Sequence, residues 1–365
     1  MKITKPELLI DEALCKANIR AMYARCIEKK VSFRPHFKTH QSIEIGQWFK
    51  EAGVSKIAVS SLSMAEYFSN NWMDILVAFP ANILEIDLIN DLAERIELSL
   101  LVESVETVEF LSDKVLFPIN MYLKIDAGYH RTGINYENYE LIDTILDRIN
   151  QTKNLNFNGF LTHSGNTYGC KGKEEVNRIH LINKNRFIQL KKRYITAYPN
   201  LILSYGDTPS ASIADDFDGI DEMRPGNFVC FDVTQVHIGS CDFNQIAVVL
   251  ACPVVAIHKE RSELIIYGGA IHLSRDEVKW EDKGVIYGLI AEKLSSGWGA
   301  PIKNAYLSSL SQEHGKIKMP EDELWKYKVG DVIYIYPVHS CLTISSMRGF
   351  MDLKGKKIAV YRGLQ

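Results

Sequence analysis

The segment Arg34-Pro-His-Phe-Lys38-Thr-His40 places four basic residues at alternate positions. Side chains alternate along a strand, so an extended reading of residues 32–40 puts Arg34, His36, Lys38 and His40 on one face. Phe33, Pro35, Phe37 and Thr39 then share the other. Four basic groups on an interior face are costly to bury without anionic partners. They read either as an internal ion-pair network or as a lysine whose positive neighbours favour the neutral amine a Schiff base needs. A second pair stands in Tyr336-Pro-Val-His339-Ser-Cys341, with both groups on one face if the segment is a strand. Imidazole with thiolate favours Zn²⁺ over Mg²⁺ or Ca²⁺. Two ligands are too few for a closed structural site. The pair is therefore an open site completed by water or substrate, or a buried cysteine beside a hydrogen-bonded histidine.

Other segments carry weaker signals of the same kind. Tyr122-Leu-Lys-Ile-Asp126-Ala-Gly128-Tyr-His-Arg131 places Asp126 and Arg131 at a strand's C-terminal end. Phe160-Leu-Thr-His163-Ser-Gly165-Asn-Thr-Tyr168 does so for a histidine and a tyrosine, which can contact an aromatic ring or serve as local donors. In Ser204-Tyr205-Gly206-Asp207-Thr208-Pro209, Gly206 allows close approach, Thr208 is expected as a helix N-cap and Pro209 suits the first turn. Such a terminus is a phosphate site or plain punctuation. Glu222-Met-Arg224-Pro-Gly226 adds another arginine.

Holding these groups together is a task for regularly alternating elements. Eight strand-like runs cover residues 32–40, 56–60, 74–79, 98–103, 121–126, 157–163, 201–205 and 222–231, with helical periods over 41–52, 63–70 and 140–149. The expected fold class is α/β, with a (β/α)₈ TIM-type barrel over residues 8–243. Short β runs at 246–257, 263–267, 332–337, 342–345 and 358–361 predict a C-terminal mostly β domain over 244–365, joined by residues 1–7. Residues 285–294 read as a helix inside it.

Composition narrows the function class. The 365 residues include 42 basic and 45 acidic side chains, a net charge of −3 that offers no basic field for nucleic acid. No apolar run approaches the ~20 residues of a membrane span. The start Met1-Lys-Ile-Thr-Lys-Pro-Glu lacks a signal peptide's apolar stretch. Seven cysteines, an odd number without tight pairing, suit a reducing, cytoplasmic compartment.

Taken in order, these segments resemble the fold-type III pyridoxal-phosphate enzymes of the D-serine dehydratase and metal-activated D-threonine aldolase family, with an alanine racemase-like N-terminal barrel. The resemblance begins at Lys5-Pro-Glu-Leu-Leu-Ile-Asp11 and runs through the Lys38, Asp126–Gly133, His163, Tyr205–Pro209, Arg224 and His339–Cys341 segments. It implies pyridoxal 5'-phosphate, with Lys38 as Schiff-base lysine and catalytic base. Arg131 would lie near the cofactor's phenolic oxygen, His163 near its ring, and the turn Tyr205-Gly206-Asp207-Thr208 around its phosphate. Tyr168 and Arg224 are both candidates for the pyridine-nitrogen side. Zn²⁺ on His339 and Cys341 is implied ahead of Mn²⁺ or Mg²⁺, because the aldolases of this group carry His-x-Asp. The implied activity is that of a lyase dehydrating a D-3-hydroxy amino acid, of the D-serine or D-threo-3-hydroxyaspartate type, to a keto acid and ammonia. A Lewis acid suits that reaction because hydroxide must leave. D-threonine aldolase, amino-acid racemase and non-catalytic cofactor-binding protein stand as alternatives. The implied partners are a small D-amino acid and a second copy in a homodimer. Tyr205-Gly-Asp207 and Gly268-Gly-Ala-Ile-His272-Leu-Ser-Arg275 depart from the family pattern.

Overall fold

The computed structural model describes residues 2–363; Met1, Leu364 and Gln365, which the expected β domain includes, lie outside the described residues. Two compact units divide the chain, one built on Arg20–Gly226 and the other on Asn227–Val360 with the N-terminal segment up to Ile19.

In the first unit, eight parallel strands among the described residues close into a barrel. They are Ser32–Phe33, Lys56–Val59, Asp74–Pro80, Glu97–Val102, Ile119–Asp126, Leu155–His163, Ile202–Gly206 and Glu222–Met223. The eighth pairs with the first, Glu222 beside Ser32, and a bridge from His36 to Ala58 closes the remaining seam. Ala58, Leu76, Leu101, Tyr122 and Leu161 pack together as a buried layer contributed by successive strands. Strand-to-helix turns are set by small polar caps: Ser42, Ser61 and Ser104 accept from the backbone N–H three residues on.

The first strand is much shorter than residues 32–40. Pro35 has no N–H to give the ladder, and beyond Phe37 the chain turns, with Gln41 N–H donating to the Phe37 carbonyl and Gln41 at φ 50°. His40 consequently leaves the predicted basic face. Its ring lies 4.3 Å from Phe37 and stacks on Phe49 at 5.4 Å, fully buried in an aromatic cluster. The eighth strand likewise stops at Met223 before Pro225.

The second unit is mostly antiparallel. Glu263–Tyr267, His314–Lys318, Trp298–Leu310, Gly288–Lys293, Val332–Pro337 and Val248–His258 follow one another around a sheet whose last strand pairs back to its first. Glu7–Ile10, Gly349–Asp352 and Lys357–Ala359 extend it beyond Val248–His258. Two expectations are corrected here. Residues 285–294 are not a helix: they form the strands Gly284–Ile286 and Gly288–Lys293, because the apolar run pairs on both sides with Val332–Pro337 and Trp298–Leu310. Residues 342–345 are not a strand but the middle of the helix Ser340–Met347, whose apolar Ile344 is buried and whose Thr343 N–H donates to the His339 carbonyl.

Candidate active site

The barrel strands deliver a concentrated positive charge. Arg34 is not part of it. It is buried, with Nε 2.9 Å from Glu222 Oε2 and Nη1 2.5 Å from Asp74, so the ion-pair reading holds for this residue. Lys56 reaches the same Glu222 at 2.7 Å. Burial pushes Glu222 up, but the charges of Arg34 and Lys56 outweigh it and hold the carboxyl at about 2.

Four other cations converge on two imidazoles. His163 is held well below the usual histidine range by burial first, then by Lys38, Arg131, Lys124 and Arg224. His36 is held down in the same way, by burial, Lys38, Arg224, His163 and Arg131. Lys38 sits exposed in the turn after His36, and its N–H donates to His36 Nδ1 at 3.3 Å. His163 Nδ1 lies 2.7 Å from the Gly206 carbonyl oxygen, which can only accept, so the proton sits on Nδ1 and Nε2 keeps its lone pair. Arg131 is exposed, its guanidinium 5.2 Å from the Tyr129 ring centre. Arg224 is buried; it donates to Ser204 Oγ at 2.5 Å and to the Thr162 carbonyl at 2.6 Å, and burial pulls it down to about 10.

The seventh strand end adds a tight turn. A side chain at Gly206 would meet the Arg224 side chain at 3.1 Å, a tight contact that glycine relieves. Thr208 N–H donates to Tyr168 Oη at 3.2 Å, and Gly226 N–H donates to Thr208 Oγ1 at 3.3 Å. The N-cap is Asp207, not Thr208: its Oδ1 accepts from Ser210 N–H at 2.6 Å and from Thr167 Oγ1 at 2.9 Å. An aspartate accepts from N3 more readily than a residue already turned into the helix, as Thr208 is. Burial pushes Asp207 up to about 6, against the hydrogen bonds it accepts. Tyr205 is not brought into the cationic cluster. As the strand alternates, its ring turns to His180 and Phe217, and its oxygen accepts from Ser164 Oγ at 2.7 Å.

Lys124 was not among the sequence candidates, although it alternates with Tyr122 and Asp126 on the fifth strand. It is buried, and desolvation, then Arg224 and Arg131, pull it down to about 7. The cluster of Lys38, Lys124, Arg131 and Arg224 has the charge to receive a phosphate and a carboxylate, and it includes a lysine amine for covalent attachment. Pyridoxal phosphate fits these residues.

In the second unit His339 and Cys341 stand at the start of the helix Ser340–Met347, not on one face of a strand. The helical turn still keeps them adjacent, for the Cys341 sulfur is a hydrogen-bond partner of His339. Burial would lower His339, yet Asp276 and Cys341 hold its proton up to about 11. His339 Nδ1 bonds Asp276, and Cys341 Sγ accepts from Asn227 Nδ2 at 3.6 Å. Asp232 accepts from Ser340 N–H at 3.0 Å and fixes the turn. Among the described residues no group of three His, Cys, Asp or Glu side chains is placed to hold a metal ion. The donor set is therefore one imidazole nitrogen and one sulfur. That set fits Zn²⁺ with its other positions left to water or substrate.

Comparison with known proteins shows the family and the fold. The family profile for the N-terminal domain of alanine racemase matches residues 10–232, and a serine dehydratase domain profile matches residues 247–351. D-serine dehydratase of Dictyostelium discoideum is 30% identical over 370 residues, covering 93% of this chain and 91% of that protein. D-threo-3-hydroxyaspartate dehydratase of Delftia sp. strain HT23 is 26% identical, covering 97% of this chain and 95% of the relative. Its solved structure superposes with a TM-score of 0.90 over 99% of this chain and 98% of that one. A cysteine variant of the same enzyme, described as metal-free, superposes equally well.

Proposed function

The chain belongs to the alanine racemase-like, fold-type III family of pyridoxal-phosphate lyases, and on that premise we propose that it dehydrates a D-3-hydroxy amino acid to a keto acid and ammonia. D-serine and D-threo-3-hydroxyaspartate are the first substrates to consider, since relatives of similar length carry those names. The observation that carries the reading is the set of cations, Lys38 among them, gathered around His36 and His163 in the barrel.

When bound, pyridoxal phosphate supplies an electron sink for the Cα–H bonding pair, and Zn²⁺ on His339 and Cys341 supplies a Lewis acid for a leaving hydroxyl. Lys38 would hold the cofactor, and its amine would serve as the base for the substrate's α-proton. Arg131, Lys124 and Arg224 offset the negative charge of phosphate and carboxylate groups. His163, neutral and fixed through Nδ1 to the Gly206 carbonyl, offers its ring as a flat support without adding charge. Arg224, still cationic at neutral pH, is tied to Ser204 and Thr162. For the pyridine-nitrogen side Arg224, a buried cation, and Tyr168, whose Oη accepts from Thr208 N–H, both remain candidates. Gly206 and Thr208 would hold the phosphate.

Protein loaded with pyridoxal phosphate and zinc, incubated with D-serine and D-threo-3-hydroxyaspartate, should release keto acid and ammonia in equal amounts. Glycine and an aldehyde from D-threonine without any keto acid would replace this reading with an aldolase. No turnover of any D-3-hydroxy amino acid would contradict it.

A further inference from the structure

The segment Gly268-Gly-Ala-Ile-His272-Leu-Ser-Arg275, which departs from the family pattern, leads directly to Asp276. Its path is fixed at both ends. Gly268 and Ala270 N–H donate to the Glu313 and Ser311 carbonyls at 2.9 and 2.8 Å, and a side chain at Gly269 would meet the Gln312 carbonyl oxygen at 2.4 Å. Only glycine allows the segment to lie so close to that hairpin. The short helix Ala270–Leu273 follows, stopped by Ser274 at φ 75°. Thr343 Oγ1, from the helix that begins after His339, donates to the Leu273 carbonyl at 3.2 Å and lies 3.0 Å from the His339 carbonyl. Asp276 N–H then donates to Ser274 Oγ at 3.2 Å, and the Asp276 carboxylate accepts from His339 Nδ1.

We infer that Asp276 is a positioning residue, which orients His339 and keeps a proton on Nδ1, so that Nε2 is the nitrogen whose proton a metal displaces. A carboxylate on the far nitrogen of a ligating histidine sets ring orientation and raises ligand basicity, and its loss costs about 10–100-fold in metal affinity. The same 268–276 segment, through Thr343, ties this carboxylate to the helix that carries Cys341. One device therefore aligns both donors. The inference rests on the reading of His339 and Cys341 as metal ligands, and the test separates the two.

Zinc affinity is measured on the full chain by competition with a chromophoric chelator, for the wild type, Asp276→Ala, Asp276→Asn and His339→Ala. Cobalt(II) replaces zinc in parallel, to read the thiolate-to-metal absorbance of Cys341. Asp276→Ala should weaken zinc binding about 10–100-fold and alter the cobalt spectrum. Asp276→Asn, whose amide oxygen still accepts from Nδ1, should recover most of the affinity. The thermal midpoint and cofactor absorbance should not change in either variant. Equal or tighter zinc binding by Asp276→Ala, with His339→Ala weakened, overturns the positioning role while leaving the metal reading intact. A wild type that binds neither metal, or a His339→Ala variant that binds both like the wild type, overturns the metal reading and this inference with it.

Discussion

Two buried ionisable groups in the barrel both make stability rise with pH, one in the acid range and one between neutral and alkaline pH. Glu222 is held at about 2 in the folded state, below the range of an unfolded carboxyl, by Arg34 and Lys56 against burial. The folded protein therefore binds fewer protons than the unfolded chain in acid. That stability is complete above about pH 4.5 and is lost as pH falls toward 2. Glu222→Gln should cost about 3–5 kcal/mol at pH 7, because it takes the carboxylate from Lys56 and leaves buried Arg34 with Asp74 alone. It should also flatten the acid limb of a urea-midpoint profile. Lys124 acts in the same direction at higher pH, but as a charge that destabilises the fold while it lasts. Burial, Arg224 and Arg131 pull it to about 7, whereas the unfolded lysine keeps its proton to about 10.4. Between those values the unfolded chain binds more protons, so stability rises with pH. Lys124→Met should be more stable than the wild type at pH 7, with the gain gone near pH 10. A constant difference between the two urea midpoints would contradict the account.

The strands and turns that hold these residues were readable where short-range chemistry decides them. Alternation placed the barrel strands at residues 56–60, 74–79, 121–126 and 157–163 to within a few residues of the observed elements. Long-range effects were not readable. Pairing on both sides turned residues 285–294 into strands, and burial of Ile344 with the Thr343 contacts made a helix of 342–345. The cationic site was legible through Lys38, Arg131 and His163. Lys124 was missed although its alternation was visible, and Asp276 lies 63 positions from His339 with no local signal. Glycines test the elements most sharply. Gly159, at φ 153° in the sixth strand, would place a side chain 2.0 Å from the Ile202 carbonyl oxygen. Gly159→Ala should destabilise by more than about 3 kcal/mol, read as a lowered melting temperature. Gly269→Ala should instead leave the barrel intact and weaken zinc binding, by displacing the segment that carries Asp276.

For the molecule as a whole, the proposed reaction needs both the cofactor and the metal. Prolonged chelation should abolish keto-acid formation, zinc should restore it, and the cofactor's visible absorbance should survive throughout. Loss of that absorbance on chelation would mean that the metal supports the fold and not the reaction. The claim on which all else depends is that Lys38 binds the cofactor covalently. The visible spectrum of the purified protein with pyridoxal phosphate, recorded for the wild type and for Lys38→Ala, tests it most directly. The account predicts the absorbance of lysine-bound cofactor in the wild type, with that band absent from a folded Lys38→Ala variant. The same band in both proteins, or in neither, would contradict it.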